Sequence, residues 1–300
     1  LMQGDTASAI ESSLTVIRVG RHIQKAATLN EQLVGVTLNR IGHLQLLRVV
    51  SQVELPEDQL QQLNQQLVAL YPDGYPMMNP EFEKLAFHDT VQHVFTDGGP
   101  GGGHIVPKHF NSISLSGDQW KEPEVLTTLK VGLFHARRDD TMVQANGVFD
   151  RVAEIRQLTP YQKHQLEVSA EDMLSELPQY RYALIHLLAP ALDRVFDLSY
   201  RIKTEHQGLL TVLALERWQL QNNSYPATLD ELVTAGLLAE VPQDPFGAEA
   251  LSYKRVGDSF TLYSFGTNLT DDNGIPATSS DGRTNLWTRN GDAVFWPVMN

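Results

Sequence analysis

From Asp5 to about Gln52 the apolar residues recur every three to four positions, at Ile10, Leu14 and Ile17 and then at Leu33, Val36, Ile41, Leu44 and Leu47. That spacing lines one face of an α-helix. A break at Ala27-Thr28-Leu29-Asn30 leaves two readings, an antiparallel helix pair or one kinked helix. Glu54-Leu55-Pro56-Glu57 opens a further helix to about Tyr71, with Pro56 in the first turn, where its missing N–H is no loss. The stretch Tyr71 to Asn79, with Pro72, Gly74 and Pro76, reads as loop. A helix from about Pro80 to Phe95 follows and is stopped by Asp97-Gly98-Gly99-Pro100-Gly101-Gly102-Gly103.

Helical periodicity returns from about Pro123 to Leu177, punctuated by Gly147 and by Thr159-Pro160, an N-cap followed by proline at the first helical position. From Pro178 to Asn222 it is almost continuous, interrupted at Pro190 and Gly208. So long a helix needs tertiary support along its length. The pattern predicts a spine whose first half packs on a helical body and whose second half, with Leu209, Val212, Leu213 and Leu220, packs on a C-terminal sheet. Thr228-Leu229-Asp230-Glu231 has capping-box form, and Gly236 suits the end of that short helix. Leu251 to Val256 and Ser259 to Phe265 alternate as strands about Gly257-Asp258, a type II′ turn signal that sets Tyr253 opposite Leu262. Ala293 to Trp296 is a last strand. The predicted fold is α+β: a mostly helical N-terminal body over residues 1–177, then a long spine helix and a small antiparallel sheet over residues 178–300.

Charge narrows the partners. Asp and Glu number 36 against 23 Lys and Arg, a net charge of −13 that repels phosphate backbones and anionic lipid surfaces, so no nucleic acid is expected. The absence of cysteine excludes disulfides and thiolate chemistry. No apolar run reaches the roughly 18 residues that suggest a membrane span. Tyr182 to Phe196 is interrupted by His186, Pro190, Asp193 and Arg194 and reads as a buried amphipathic helix.

The last third of the chain carries a resemblance. Asn222-Asn223-Ser224-Tyr225-Pro226 ends the spine; Asp244-Pro245-Phe246-Gly247, Leu262-Tyr263-Ser264-Phe265-Gly266 and Asp271-Asp272-Asn273-Gly274 follow in that order. This succession resembles the C-terminal half of the major, G-type pseudopilin of type II secretion, over roughly residues 205 to 300. The pseudopilin N-terminal signature is absent, and a long helical region precedes the match. That arrangement looks like envelope proteins of planctomycete bacteria, a group that brings no activity with it. The resemblance implies a non-enzymatic protein of the bacterial envelope, facing the periplasm. It would be an interaction or assembly module with protein partners, touching the membrane only through an anchor upstream of this chain.

Pseudopilins of this type bind calcium in the loop that corresponds to Gly266 to Asp292. By resemblance, Asp271 and Asp272 are carboxylate ligands of Ca2+, Phe265 and Asn268 are carbonyl or amide donors, and Asp292 closes the site. Calcium's six to eight oxygens at flexible distances suit such a loop. Asp, Asn and Gly are also the residues of solvated turns.

Other chemistry gathers little support. The glycine stretch from Asp97 to Gly103 lacks the Gly-Lys-Ser/Thr ending of a phosphate-binding loop and follows a helix instead of a strand. His88 and His93 are five apart, off the spacing that sets two imidazoles on one helical face, and His104 and His109 lie beyond the glycines. Gly-x-Ser-x-Gly is absent; Ser114-Leu115-Ser116-Gly117 reads as the approach to a turn. Asp139-Asp140 and Glu171-Asp172 are adjacent and so point to different helical faces. No catalytic residue is assigned. The alternative is an envelope hydrolase or metal-dependent enzyme with its site between helical body and sheet, near His88, His93 and His104.

Overall fold

Thr28 and Glu31 decide between one kinked helix and a pair. In the computed structural model, which describes residues 3–26, 28–113, 124–188 and 192–298, the Thr28 hydroxyl accepts from Glu31 N–H and the Glu31 carboxylate accepts from Thr28 N–H. This reciprocal capping box starts a new helix. The result is α1 (Gln3–Ile23) and α2 (Leu29–Gln52), packed side by side in opposite directions. Their backbones nearly touch: a Cβ on Gly35 would lie 2.5 Å from Gln24 N and 2.6 Å from the Gly20 carbonyl oxygen.

Next come α3 (Glu57–Leu70) and α4 (Glu81–Val94), which lie where the periodicity places them. Beyond the glycine stretch lies a helix that the periodicity does not predict, α5 (Pro107–Ile113), which buries Phe110. The helical pattern after it resolves into α6 (Glu124–Phe134), α7 (Arg138–Ile155), α8 (Pro160–Gln165) and α9 (Ala170–Glu176). Thr159 caps α8 in a box with Gln162, and Pro160 takes the first helical position. Gly147 does not interrupt α7. It sits on the exposed face, while Ala145, Val148, Phe149 and Val152 keep the opposite stripe buried.

The spine comprises α10 (Ala183–Leu188) and α11 (Leu192–Asn222); Pro190 lies outside the described residues, as do Ser114 to Gly117. Gly208 does not break α11 but lets β3 approach: a Cβ there would lie 2.7 Å from the Phe295 ring. Asn223, in the left-handed conformation with φ 53°, follows the helix end. Then come α12 (Leu229–Thr234), with its predicted capping box, and the strands β1 (Ser252–Val256), β2 (Ser259–Ser264) and β3 (Ala293–Trp296). They form one antiparallel sheet in the order β1-β2-β3, with Tyr253 opposite Leu262. Gly257 has φ 59° and Asp258 is not positive, as a type II′ turn requires. The architecture is α+β.

Two apolar cores flank α11. Val195, Phe196 and Ile202 join one with α4, α7 and the N-terminal half of α2. Leu209, Val212 and Leu213 join the other with Phe260, Leu262 and Phe295 of the sheet and with Leu14, Ile17, Leu46 and Leu63 of α1 to α3. The second core therefore spans residues on both sides of 177. Leu220 does not pack on the sheet as the spacing predicts: it is 47% exposed, and Trp218 packs against the core near the helix end. Among the described residues no helix is long and apolar enough to cross a membrane.

The two glycine environments predict opposite effects. Gly35→Ala should destabilise the chain by about 1 to 3 kcal/mol, because the methyl group meets backbone that cannot yield. Gly147→Ala meets no atom within 4 Å and should stabilise it by up to about 1 kcal/mol through helix propensity. Chemical denaturation of both variants checks this, and equal effects would refute the close contact of α1 and α2.

Candidate functional site

The motif positions of the last third converge through one carboxylate. Asp244, buried in the Asp-Pro-Phe-Gly turn, accepts Phe246 N–H at 3.0 Å and the Ser264 hydroxyl at 2.7 Å through Oδ1, and Phe265 N–H at 2.9 Å through Oδ2. It fastens the turn before β1 to the end of β2. Tyr225 does the same for the Tyr-Pro step: its ring lies 4.8 Å from that of Phe260 and its hydroxyl donates to Glu216 of α11 at 2.9 Å.

The acidic loop is organised about Asp292. This residue, just before β3, is fully buried and accepts Asp272 N–H at 3.2 Å and Gly274 N–H at 2.6 Å. Its pKa is pushed up to about 6, first by burial and then by the charges of Asp272 and Asp271, against the lowering effect of the two N–H donors. Asp272 accepts from the Asn268 amide at 2.7 Å; Asp271 accepts from the Tyr263 hydroxyl at 3.0 Å and Asn273 N–H at 2.8 Å. Asn268, Asp272 and Asp292 are thus linked by hydrogen bonds within the loop, Asp271 is held by Tyr263 and Asn273, and Phe265 bonds Asp244 instead. Among the described residues no group of three or more His, Asp or Glu side chains is arranged to hold a metal ion.

The histidines separate into small groups. His88 bonds Asn146 at 2.9 Å, His93 stacks on His109 with centroids 5.2 Å apart, and His104 meets His135 at 3.0 Å and also Arg137. A cleft of about 720 Å³ between helical body and C-terminal module has none of these in its lining. It is bounded by Lys163, His164, Glu167, Glu171 and Asp172 of the α8–α9 region, by Asp197 and Arg201 of α11, and by Phe246, Thr267, Leu269 and Arg289.

The sequence reading missed a buried polar belt between the two cores. Asn39 and His43 occupy the buried stripe of α2, and Glu205 and His206 lie in the middle of α11. Glu205 Oε1 accepts from Arg40 Nε at 3.2 Å and from Trp287 Nε1 at 2.6 Å. His43 and His206 approach to 3.2 Å, and Asn39 bonds Gln24 at 2.7 Å and Tyr75 at 3.1 Å. The available signal was polar side chains at i, i+4 within an otherwise apolar helical face. Burial pushes Glu205 up to about 7 despite Arg40 and Trp287, and pushes His206 down to about 4.

These shifts oppose each other. Between 4.5 and 7 the folded chain holds a proton on Glu205 that the unfolded chain has released, so that stability is full below 4.5 and is lost as pH rises through 7. Neutral His206 contributes stability that is present above 6.5 and is lost as pH falls towards 4. Glu205→Gln removes only the first effect. Relative to the wild type, the variant should therefore gain more than about 1 kcal/mol of stability as pH rises from 4.5 to 7. Parallel denaturation curves would mean that Glu205 is ionised throughout.

No protein-family model, no curated protein and no solved structure matches this chain.

Proposed function

We propose that the chain is a non-enzymatic protein of the bacterial envelope, facing the periplasm, whose C-terminal third is a pseudopilin-like interaction or assembly module with a calcium-binding loop. The observation that carries this reading is the burial of Asp292 beside Asp271 and Asp272. The charges of Asp272 and Asp271 add to burial in raising the cost of ionising Asp292, and a bound cation would offset that cost. Asp271 and Asp272 supply carboxylate oxygens, Phe265 and Asn268 supply carbonyl or amide oxygens, and Asp292 closes the loop. The attachment of turn to strand through Asp244 supports the module as one unit. Val125, Leu129 and Leu133 form an exposed apolar stripe along α6, which supports a protein partner. The net charge of −13 speaks against nucleic acid.

Millimolar calcium should stabilise the full chain by about 1 to 3 kcal/mol through mass action, and magnesium, which resists dehydration, should do less. The effect should be larger at pH 7.5 than at pH 5, because the ion competes with the proton on Asp292, whose carboxyl titrates near 6. Asp271→Asn combined with Asp272→Asn should abolish it while the helices remain folded. Melting curves that respond to neither calcium nor chelator would sink the calcium reading.

A further inference from the structure

Arg201 and Arg289 line the same cleft, and among the described residues neither has an ion-pair or hydrogen-bond partner. Arg201 Nε is fully buried and unsatisfied. Burial, together with the nearby guanidiniums of Arg40 and Arg289, lowers the Arg201 pKa against the pull of Asp197 and Glu205, although a guanidinium stays charged in proteins. The other cation of the lining, Lys163, is ion-paired with Asp197. A buried charged donor without an acceptor is costly, and two guanidiniums facing one cleft add mutual repulsion. An incoming carboxylate offers two acceptor oxygens to the two guanidiniums and offsets their mutual repulsion.

Apart from Asp197, which lies one turn from Arg201 and is paired with Lys163, the opposite charge in the cleft is placed differently. Glu167, Glu171 and Asp172 come from the segment at α8–α9, whereas the two arginines come from α11 and from the loop before β3. That acidic rim disfavours phosphates and other multiply charged anions and suits a ligand with an ammonium group at its other end. Pro160, Val168, Phe246 and Leu269 add apolar surface to the lining. A volume of about 720 Å³ falls in the range of small-molecule sites.

We infer that this cleft binds a small zwitterion, an amino acid or short peptide, with its carboxylate between Arg201 and Arg289 and its ammonium towards Glu167, Glu171 and Asp172. The cleft shares the acidic loop through Thr267, Leu269 and Arg289 but is lined by none of Asp271, Asp272 and Asp292, so its test is run both with calcium and in calcium-free buffer and does not depend on the calcium reading.

Isothermal titration of the full chain with alanyl-leucyl-alanine is the measurement. The free peptide should bind with a dissociation constant below about 1 mM, which corresponds to roughly −4 kcal/mol. Its C-terminal amide and its N-acetyl form should each bind at least tenfold more weakly, and inorganic pyrophosphate should not compete. Arg289→Gln, at an exposed position that leaves the fold intact, should weaken binding at least fivefold, and so should Arg201→Gln if its melting temperature matches the wild type. Free leucine binding in place of the peptide would identify the amino acid as the ligand and keep the assignment. The inference is overturned if neither peptide nor leucine binds, if the amide binds as well as the acid, if pyrophosphate displaces the peptide, or if Arg289→Gln binds like the wild type.

Discussion

A single helix of 31 residues, α11, buries an apolar stripe from Val195 to Leu215, and the rest of the structure follows from how it does so. At 1.5 Å per residue it spans about 46 Å, more than one small core can cover. Its first half is covered by α4, α7 and the start of α2, its second half by the sheet and by α1 to α3. Because α2 also crosses from one core to the other, the two ends of the spine are tied together twice. The extreme N-terminal helices and the C-terminal sheet share one core although they are farthest apart in sequence.

The cores meet at the polar belt. On α2, Val36 belongs to one core and Leu46 to the other, with Asn39 and His43 between; on α11, Ile202 and Leu209 are divided by Glu205 and His206. Hydrogen bonds from Arg40 and Trp287 to one Glu205 oxygen link α2, α11 and the last loop, while the second oxygen has no partner among the described residues. Such a belt is a poor source of stability compared with apolar packing, since burial of each group must first be offset. Its geometric effect is to fix the register of two helices that an apolar seam alone would let slide.

The C-terminal third has the same logic at smaller scale. Asp244 joins the turn before β1 to the end of β2, and Asp292 gathers the acidic loop through two N–H groups just before β3 begins. Both are buried carboxylates that hold backbone, so residues that look like solvated turn formers in the sequence are structural centres. The loop they position also carries Thr267, Leu269 and Arg289 to the cleft.

Local pattern was enough for most elements. The 3.6-residue period places the long helices, Thr159 and Thr228 place two helix starts through side chains only a few bonds from the N–H groups they cap, and Gly257 places the hairpin turn because few other residues adopt its φ. Phe265, Asn268, Asp271, Asp272 and Asp292 were named in the sequence through the resemblance of the last third, not through any local period. Other features depend on residues far apart in the chain, which no local period reports. Gly147 reads as a break only until its neighbours are seen to bury the opposite face of α7, and Gly208 reads as a break until Phe295 arrives to fill it. The cleft and the polar belt were illegible for the same reason. Arg201 and Arg289, or Glu205, Arg40 and Trp287, become a site only when packing brings together side chains whose partners lie tens to hundreds of residues away.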